Sequence, residues 1–317
     1  MAGRREICWG CVSDALIDLL RECVIWLIKE TSLPGLLASV ADGLLLGFVY
    51  GVAAMGLTLI WGVMEVINLS HGATMALGMF TTYLLFTGLG LNPYLALLVV
   101  AVLGLAFGFL VYGVAVHRVI GAPHLSSLLA TFAVEMIIIG VGTAILTTSP
   151  RNIDFTLGSV QIGPLTLQGT RLVAALAAIL LGGALYLFLY HTPPGKAIRA
   201  VANNRPAAEL MGIPSAQILA LSFGLGTMLA AVAGGLISTF FPFTLLSGGT
   251  YQTKSFVICV LGGLGNPMGA LIGGLVLGLL EGLVPGFMPV SWVPVVEFGL
   301  FVLVLILRPN GILGVRQ

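Results

Sequence analysis

Residues 65–78 read EVINLSHGATMALG and place Glu65, Asn68, Ser70 and His71 close together in an otherwise apolar stretch. A carboxylate and a histidine can exchange protons, a histidine can ligate a metal, and Asn, Ser and His can hydrogen-bond backbone groups where a helix is interrupted. Gly62 and Gly72 bracket the polar residues, which favours the third chemistry: a break between two apolar segments, His71 acting as neither catalyst nor metal ligand. A second glycine-rich interruption, LGGLGNP, carries Gly262, Gly263, Gly265 and Asn266. Asn68, Ser70, His71 and Gly72, with those four residues and the mid-segment Glu135, form the candidate pathway set. Bracing of the break and direct contact with a passing solute both stay open for His71.

The elements that must position these residues are membrane helices. The chain has 317 residues, 58% hydrophobic and 8% charged, with a mean hydropathy of +1.11. Ordinary soluble domains are about 25% charged, and so few charges cannot cover a soluble surface of this size. Apolar runs longer than about 18 residues recur along the chain, and the net charge of +1 gives no reason to expect a nucleic-acid partner. The 43 glycines fall at helical spacing, as in Gly43, Gly47 and Gly51, or Gly265, Gly269 and Gly273. Small residues four apart let membrane helices approach closely, so a compact all-α polytopic bundle is expected.

Spans are expected near 41–62, 66–88, 93–116, 126–148, 171–190, 216–241 and 292–308. Region 254–284 reads as a half-helix, a break and a longer helix, for about eight membrane segments with interrupted or re-entrant helices around 62–72 and 262–267. Residues 1–35 hold an amphipathic helix with apolar Leu16, Leu20, Val24 and Leu27 opposite Asp14, Asp18, Arg21 and Lys29. It is too charged for a span and suits the membrane interface; Pro34-Gly35 is expected to end it, leaving 36–317 as the transmembrane domain. Cys8 and Cys11 make a lone CxxC, short of the about four ligands of a structural zinc site, so no metal is expected.

Lys196, Arg199 and Arg205 in loop 191–215, with Arg118, Arg308 and Arg316, place these connections on the cytoplasmic side. The 148–171 loop then lies outside. Within the cytoplasmic loop, GKAIRAVANN and RPAAELMG read as two short helices, and their small apolar knobs between Arg199, Arg205 and Glu209 suit docking into a groove of a soluble partner. There is no GxxxxGK[ST] phosphate loop, no HExxH and no GxSxG, so the chain is expected not to be an enzyme. Glu65, His71, Glu135, Glu281 and Glu297 are the ionisable residues expected within the membrane; Glu281 and Glu297, near span ends, read as structural.

Four blocks of the chain resemble the branched-chain amino acid ABC importer permeases. They are GLLLGFVYGVAAMGLTLIWGVMEVINLSHGATMALGMFTTYLL, GKAIRAVANNRPAAELMGI, VLGGLGNPMGALIGGLVLGLLE and the ending LRPNGILG, spanning residues 38–315 in the family's order. The resemblance is closest to the shorter, H-type permease. It implies a bacterial or archaeal cytoplasmic (inner) membrane protein working with two cytoplasmic ATPase subunits, a second permease subunit and a periplasmic or surface-tethered binding protein. It also implies that ATP and Mg belong to the ATPases and that this chain binds no cofactor. Gly195, Arg199, Asn204, Arg205, Ala208, Glu209 and Gly212 match the segment that couples to the ATPase. Urea, amides or another small solute in place of branched-chain amino acids is the alternative within the same machine. An ion-coupled secondary transporter is the alternative outside it, since glycine-interrupted segments suit that class too. Against it, the sequence shows no clear intramembrane ion site and such a carrier has no use for loop 191–215. A passive channel and a membrane enzyme lack the repeats and the catalytic groups they need.

Overall fold

The computed structural model describes residues 33–162, 165–308 and 311–313. The amphipathic helix expected in 1–35 lies outside the described residues, apart from 33–35. There Leu33, Pro34 and Gly35 form the first turn of a long helix, a position where proline's missing N–H would have had no helical partner.

That helix is α1 (Leu33–Met64), followed by α2 (His71–Leu89), α3 (Pro93–Val111) with a π-helical extension (Tyr112–Val116), and α4 (His124–Leu146). A two-stranded antiparallel hairpin, β1 (Ser159–Ile162) and β2 (Leu165–Gln168), leads into α5 (Gly169–His191). Two short helices, α6 (Pro193–Asn203) and α7 (Arg205–Leu210), precede α8 (Ser215–Ile237). The chain ends with α9 (Ser247–Gly262), α10 (Pro267–Phe287), a 3-10 turn (Val290–Trp292) and α11 (Val293–Leu307). Eight of the described helices are long and apolar enough to cross a membrane: α1 to α5, α8, α10, and α11 together with the turn before it. The helix α9 falls short of a span. The bundle has two ends, one carrying the hairpin and the other carrying α6 and α7.

Hydropathy alone does not say which helices are central, but burial does. The most apolar windows of α1 and α8 are 83% and 78% buried, against 17% for α4 and 11% for the last helix. α1 and α8 therefore form the axis, while α4 and α11 present Leu, Ile and Val outward, as a lipid-facing helix must. The expected small-residue packing holds the axis together. α1 lies on α10 with Gly43 and Gly47 against Gly274, Gly278 and Gly282; a Cβ added to Gly278 would stand 2.3 Å from the Gly43 carbonyl oxygen. α2 crosses α8 at Gly78, where an added Cβ would stand 2.0 Å from the Ala231 oxygen. Backbones this close maximise dispersion contact between helices, the main attraction available in lipid.

Candidate functional site

The first interruption is deeper than its sequence suggests. α1 runs to Met64, and Glu65 then turns the chain with a left-handed φ of 53°, its amide still donating to the Trp61 carbonyl (2.8 Å). Glu65 is exposed at the α6–α7 end, so it is not among the embedded ionisable groups as expected. Residues 66–70 then climb back along α1. The His71 Nε2 donates to the Ala53 carbonyl at 3.0 Å, and Ala53 lies about three helical turns, or roughly 16 Å, inside the end of α1. Six residues at about 3.3 Å each cover that distance. α2 therefore begins well inside the bundle.

The backbone groups this excursion exposes are met one by one. The Ser70 amide and hydroxyl both donate to Asn68 Oδ1, at 3.1 and 2.7 Å. The Leu69 amide donates to Thr131 Oγ1 at 3.2 Å, and Ile67 O lies 2.9 Å from the same hydroxyl. Gln252, from α9, spans the break: its Oε1 accepts from the Gly72 amide at 2.6 Å and its Nε2 donates to the Asn68 carbonyl at 3.2 Å. Gly72 admits α9 at all, because a Cβ there would stand 2.2 Å from the Gly248 oxygen. Asn68, Ser70, His71 and Gly72 are thus brought together and fully buried. Two buried atoms, Asn68 Nδ2 and His71 Nδ1, have no hydrogen-bond partner. Glu135 is not part of this group. It lies one turn beyond Thr131 on α4, half-buried and making no hydrogen bond or ion pair among the described residues.

The second interruption is a tight turn at the α6–α7 end rather than a counterpart at depth. Gly263 and Gly265 adopt φ of 107° and 84°, values that only glycine takes readily. Asn266 caps α10, its Oδ1 accepting from the Met268 and Gly269 amides (3.1 and 3.2 Å). Gly262 packs against Gly269, and Gly62 of α1 against Gly265, where an added Cβ would meet the Gly265 Cα at 2.7 Å. The chain end straps this turn: the Ile312 and Leu313 amides donate to the Leu261 and Gly262 carbonyls, and Asn266 Nδ2 to the Leu313 carbonyl. These bonds supply partners for the last carbonyls of α9, which a helix end leaves unpaired.

The two short helices between α5 and α8 are where the sequence put them. Thr192 opens α6, its Oγ1 accepting from the Gly195 amide at 3.2 Å, and Asn204 opens α7, its Oδ1 accepting from the Ala207 amide at 3.0 Å. Gly195 sits where an added Cβ would be 2.0 Å from the Phe188 oxygen, and Gly212 turns the chain with φ 81°. The Arg199 Nε donates to the Leu189 carbonyl and its guanidinium covers the Tyr190 ring at 4.4 Å. Arg205 pairs with Glu209 at 3.0 Å, and the Ser215 hydroxyl donates to the same Glu209 oxygen. Those two partners, the hydroxyl foremost, hold the Glu209 carboxyl below its ordinary range. Ala208, expected as a docking knob, is 5% exposed and packs inward; the projecting side chains are Leu210 and Met211, at 89% and 83% exposed. Met211 was missed, although an apolar residue beside a glycine in a polar loop was a visible signal.

Cavities separate these short helices from the interruptions. One of about 390 Å³ is bounded by Gly62, Val63, Tyr190, Asn203 and Leu264–Met268, and a second of about 500 Å³ by Gly62–Val66, Gly121 and Val201–Pro206. Deeper in the bundle is a cluster that sequence reading did not assemble. Lys254 of α9 pairs with Glu281 of α10 at 2.8 Å and lies 3.7 Å from Glu297 of α11. The Tyr50 hydroxyl of α1 donates to Glu281 at 3.3 Å, and the Lys254 ammonium sits 4.9 Å from the Tyr50 ring centroid. Lys254 is the sole Lys or Arg between Arg205 and Arg308, and that isolation was the available signal. Glu281 and Glu297, read from the sequence as structural residues near span ends, are here joined to a lysine that the reading left out.

A polytopic helical bundle with an interrupted helix at depth and a pair of short helices at one end is a membrane-spanning architecture. The chain belongs to the family described as the permease component of branched-chain amino acid transport systems, whose model matches residues 39–305. It is 30% identical to the high-affinity branched-chain amino acid transport system permease protein LivH of Salmonella typhimurium, over 86% of this chain and 94% of that one. The corresponding protein BraD of Pseudomonas aeruginosa is 30% identical over 88% and 95%. A probable LivH of the archaeon Methanocaldococcus jannaschii is 31% identical over 69% and 71%. The chain is a multi-pass permease subunit of the cytoplasmic membrane.

Proposed function

We propose that this permease forms one half of the translocation pathway of an ATP-driven importer of leucine, isoleucine and valine. Two cytoplasmic ATPase subunits bind ATP and Mg, a second permease completes the pathway, and a binding protein outside delivers the solute. The observation that carries the reading is the α6–α7 pair in a chain of this family: two rigidly capped short helices present Leu210 and Met211 to solvent at a bundle end. Exposed apolar side chains on a polar loop suit the groove of a soluble partner. This end is then cytoplasmic, in keeping with Lys196, Arg199, Arg205 and Arg308 close to it.

The coupling residues divide by task. Gly195, Asn204, Ala208 and Gly212 shape the pair, Arg199 ties it to the end of α5, and Arg205, Glu209 and the Leu210–Met211 tip face the partner. Movement of the pair reaches the pathway through its neighbours. The cavities beside Gly62–Val66 and Leu264–Met268 leave α6 and α7 room to shift against both interruptions. Asn68, Ser70 and His71 are closed off from solvent in this conformation, which favours bracing of the α2 start over solute contact. The test is co-purification of the chain with its ATPase before and after Leu210→Asp and Met211→Asp. Loss of the ATPase with unchanged thermal stability supports the reading, and full retention by the double variant sinks it.

A further inference from the structure

One polar surface in the bundle is left without a role by this account. α9 is too short to span, and its outward face carries exposed Gly249, Thr250 and Thr253 between Leu246 and Phe256, the Thr253 hydroxyl donating to the Gly249 carbonyl at 3.0 Å. Many other exposed helix positions are hydrocarbon, as at Leu98, Val102, Ile137, Leu180 and Ile306. The exposed Thr250 hydroxyl, for which no hydrogen bond is seen among the described residues, suits water or a solute better than lipid. Immediately beside Thr253, Lys254 and Glu281 remain 15% and 20% accessible, so the face opens onto the charged cluster. There two carboxyl groups share a single ammonium. Glu281 is satisfied by Lys254 and Tyr50, but Glu297, 5% exposed, keeps Oε1 buried with no hydrogen-bond donor while it lies 3.7 Å from the Lys254 nitrogen. The cluster therefore has spare acceptor capacity at Glu297, and the Tyr50 and Tyr251 rings (centroids 6.2 Å apart) add faces that attract cations.

We propose that the polar face of α9, backed by Lys254, Glu281 and Glu297, is a wall of the solute pathway that receives the ammonium group of a small zwitterion. Lys254 carries the positive charge that a zwitterion's carboxylate can meet, and Glu297 Oε1 is the unused acceptor for its ammonium group. A solute lacking an ammonium group leaves that acceptor unpaired. The inference deepens the importer reading and rests on it for the identity of the solute, but the surface can be probed without transport.

The experiment uses the assembled transporter in membrane vesicles. Cys8, Cys11 and Cys23 are replaced by serine, while Cys259, buried at 1% exposure, is retained. Thr253→Cys and, separately, Thr250→Cys are treated with membrane-impermeant methanethiosulfonates, one cationic and one anionic. The cationic reagent is expected to react about tenfold faster, because the unused Glu297 acceptor favours a cation over an anion beside it. Glu297→Gln should shrink that ratio, saturating leucine should slow both reactions, and a Leu98→Cys control on the lipid face should stay unmodified. Inertness of both threonine positions, or equal rates for the two reagents, overturns the proposal. ATP-dependent leucine uptake, measured on vesicles of the transporter with its threonines intact, separates the two claims. Uptake with inert positions removes the wall and leaves the importer. Cation-selective labelling without uptake removes the importer and leaves the wall.

Discussion

Replacing Gln252 with leucine should release the first interruption. The side chain makes two hydrogen bonds across the break, to the Gly72 amide (2.6 Å) and the Asn68 carbonyl (3.2 Å). Leucine is similar in size, so little cavity is created, and the effect reduces to two backbone groups left without partners. An unsatisfied buried polar group costs about 1–3 kcal/mol, which sets the loss at roughly 2–6 kcal/mol. Interhelical side-chain bonds in membranes average only about 0.6 kcal/mol, because freed groups find other partners. Here the freed groups belong to a non-helical stretch packed between α1, α4 and α9, where substitutes are scarce, so the larger figure applies. The assay is hydrogen exchange of the segment spanning 66–75 in detergent-solubilised protein, alongside unfolding by denaturant. A loss of 2 kcal/mol corresponds to exchange about 30-fold faster. Thr81→Val, which deletes a hydroxyl bonded to a carbonyl of its own helix at 2.7 Å, is the control and should change stability by less than about 0.5 kcal/mol. Unchanged protection at 66–75 in Gln252→Leu would refute the idea that α9 holds the break.

His71→Ala should destabilise the chain by about 2–5 kcal/mol, the range for truncating a large buried side chain, seen as a lower melting temperature and reduced assembly; full assembly with loss of transport would argue for solute contact instead. Gly278→Ala places a methyl 2.3 Å from the Gly43 oxygen and should separate α1 from α10 at about 1–3 kcal/mol. Gly183→Ala, with open space around its Cβ, should be neutral or stabilise by up to about 1 kcal/mol; denaturant midpoints distinguish the two. Glu209 has a folded-state pKa below its ordinary 4.5, so its bonds to Ser215 and Arg205 contribute fully above that value and fade as pH falls through the lower folded value. Exchange protection over 205–215 should therefore hold at neutral pH and drop only in more acidic solution, and an earlier loss near neutrality would contradict the assignment.

Much of this architecture was legible because membrane helices announce themselves by length and hydropathy. The glycine spacing also announced close helix packing, though not that α1 meets α10, and the polar loop 191–215 pointed to the short-helix pair. Pro34 and Gly35 stop a preceding helix and start a following one equally well, so the sequence did not show that they open α1. Depth was the hidden quantity. Both interruptions look alike as strings of glycine and polar residues, but residues 66–70 climb along α1 while Gly263–Asn266 simply turn at the bundle end. Nothing local encodes that difference, since it depends on α9 arriving beside Gly72. The charged cluster was hidden for a related reason: Tyr50, Lys254, Glu281 and Glu297 lie on four helices, and only packing joins them. Ala208 shows the converse, a residue read as a docking knob that faces inward.

The central claim is that this permease moves its solute on energy supplied by a separate ATPase. The most direct test reconstitutes the chain with its partner permease, ATPase and binding protein in proteoliposomes and follows labelled leucine. Uptake should require both the binding protein and hydrolysable ATP, and should vanish when the chain is present alone. Leucine accumulation by the chain alone, driven by a proton or sodium gradient without ATP, would contradict the account.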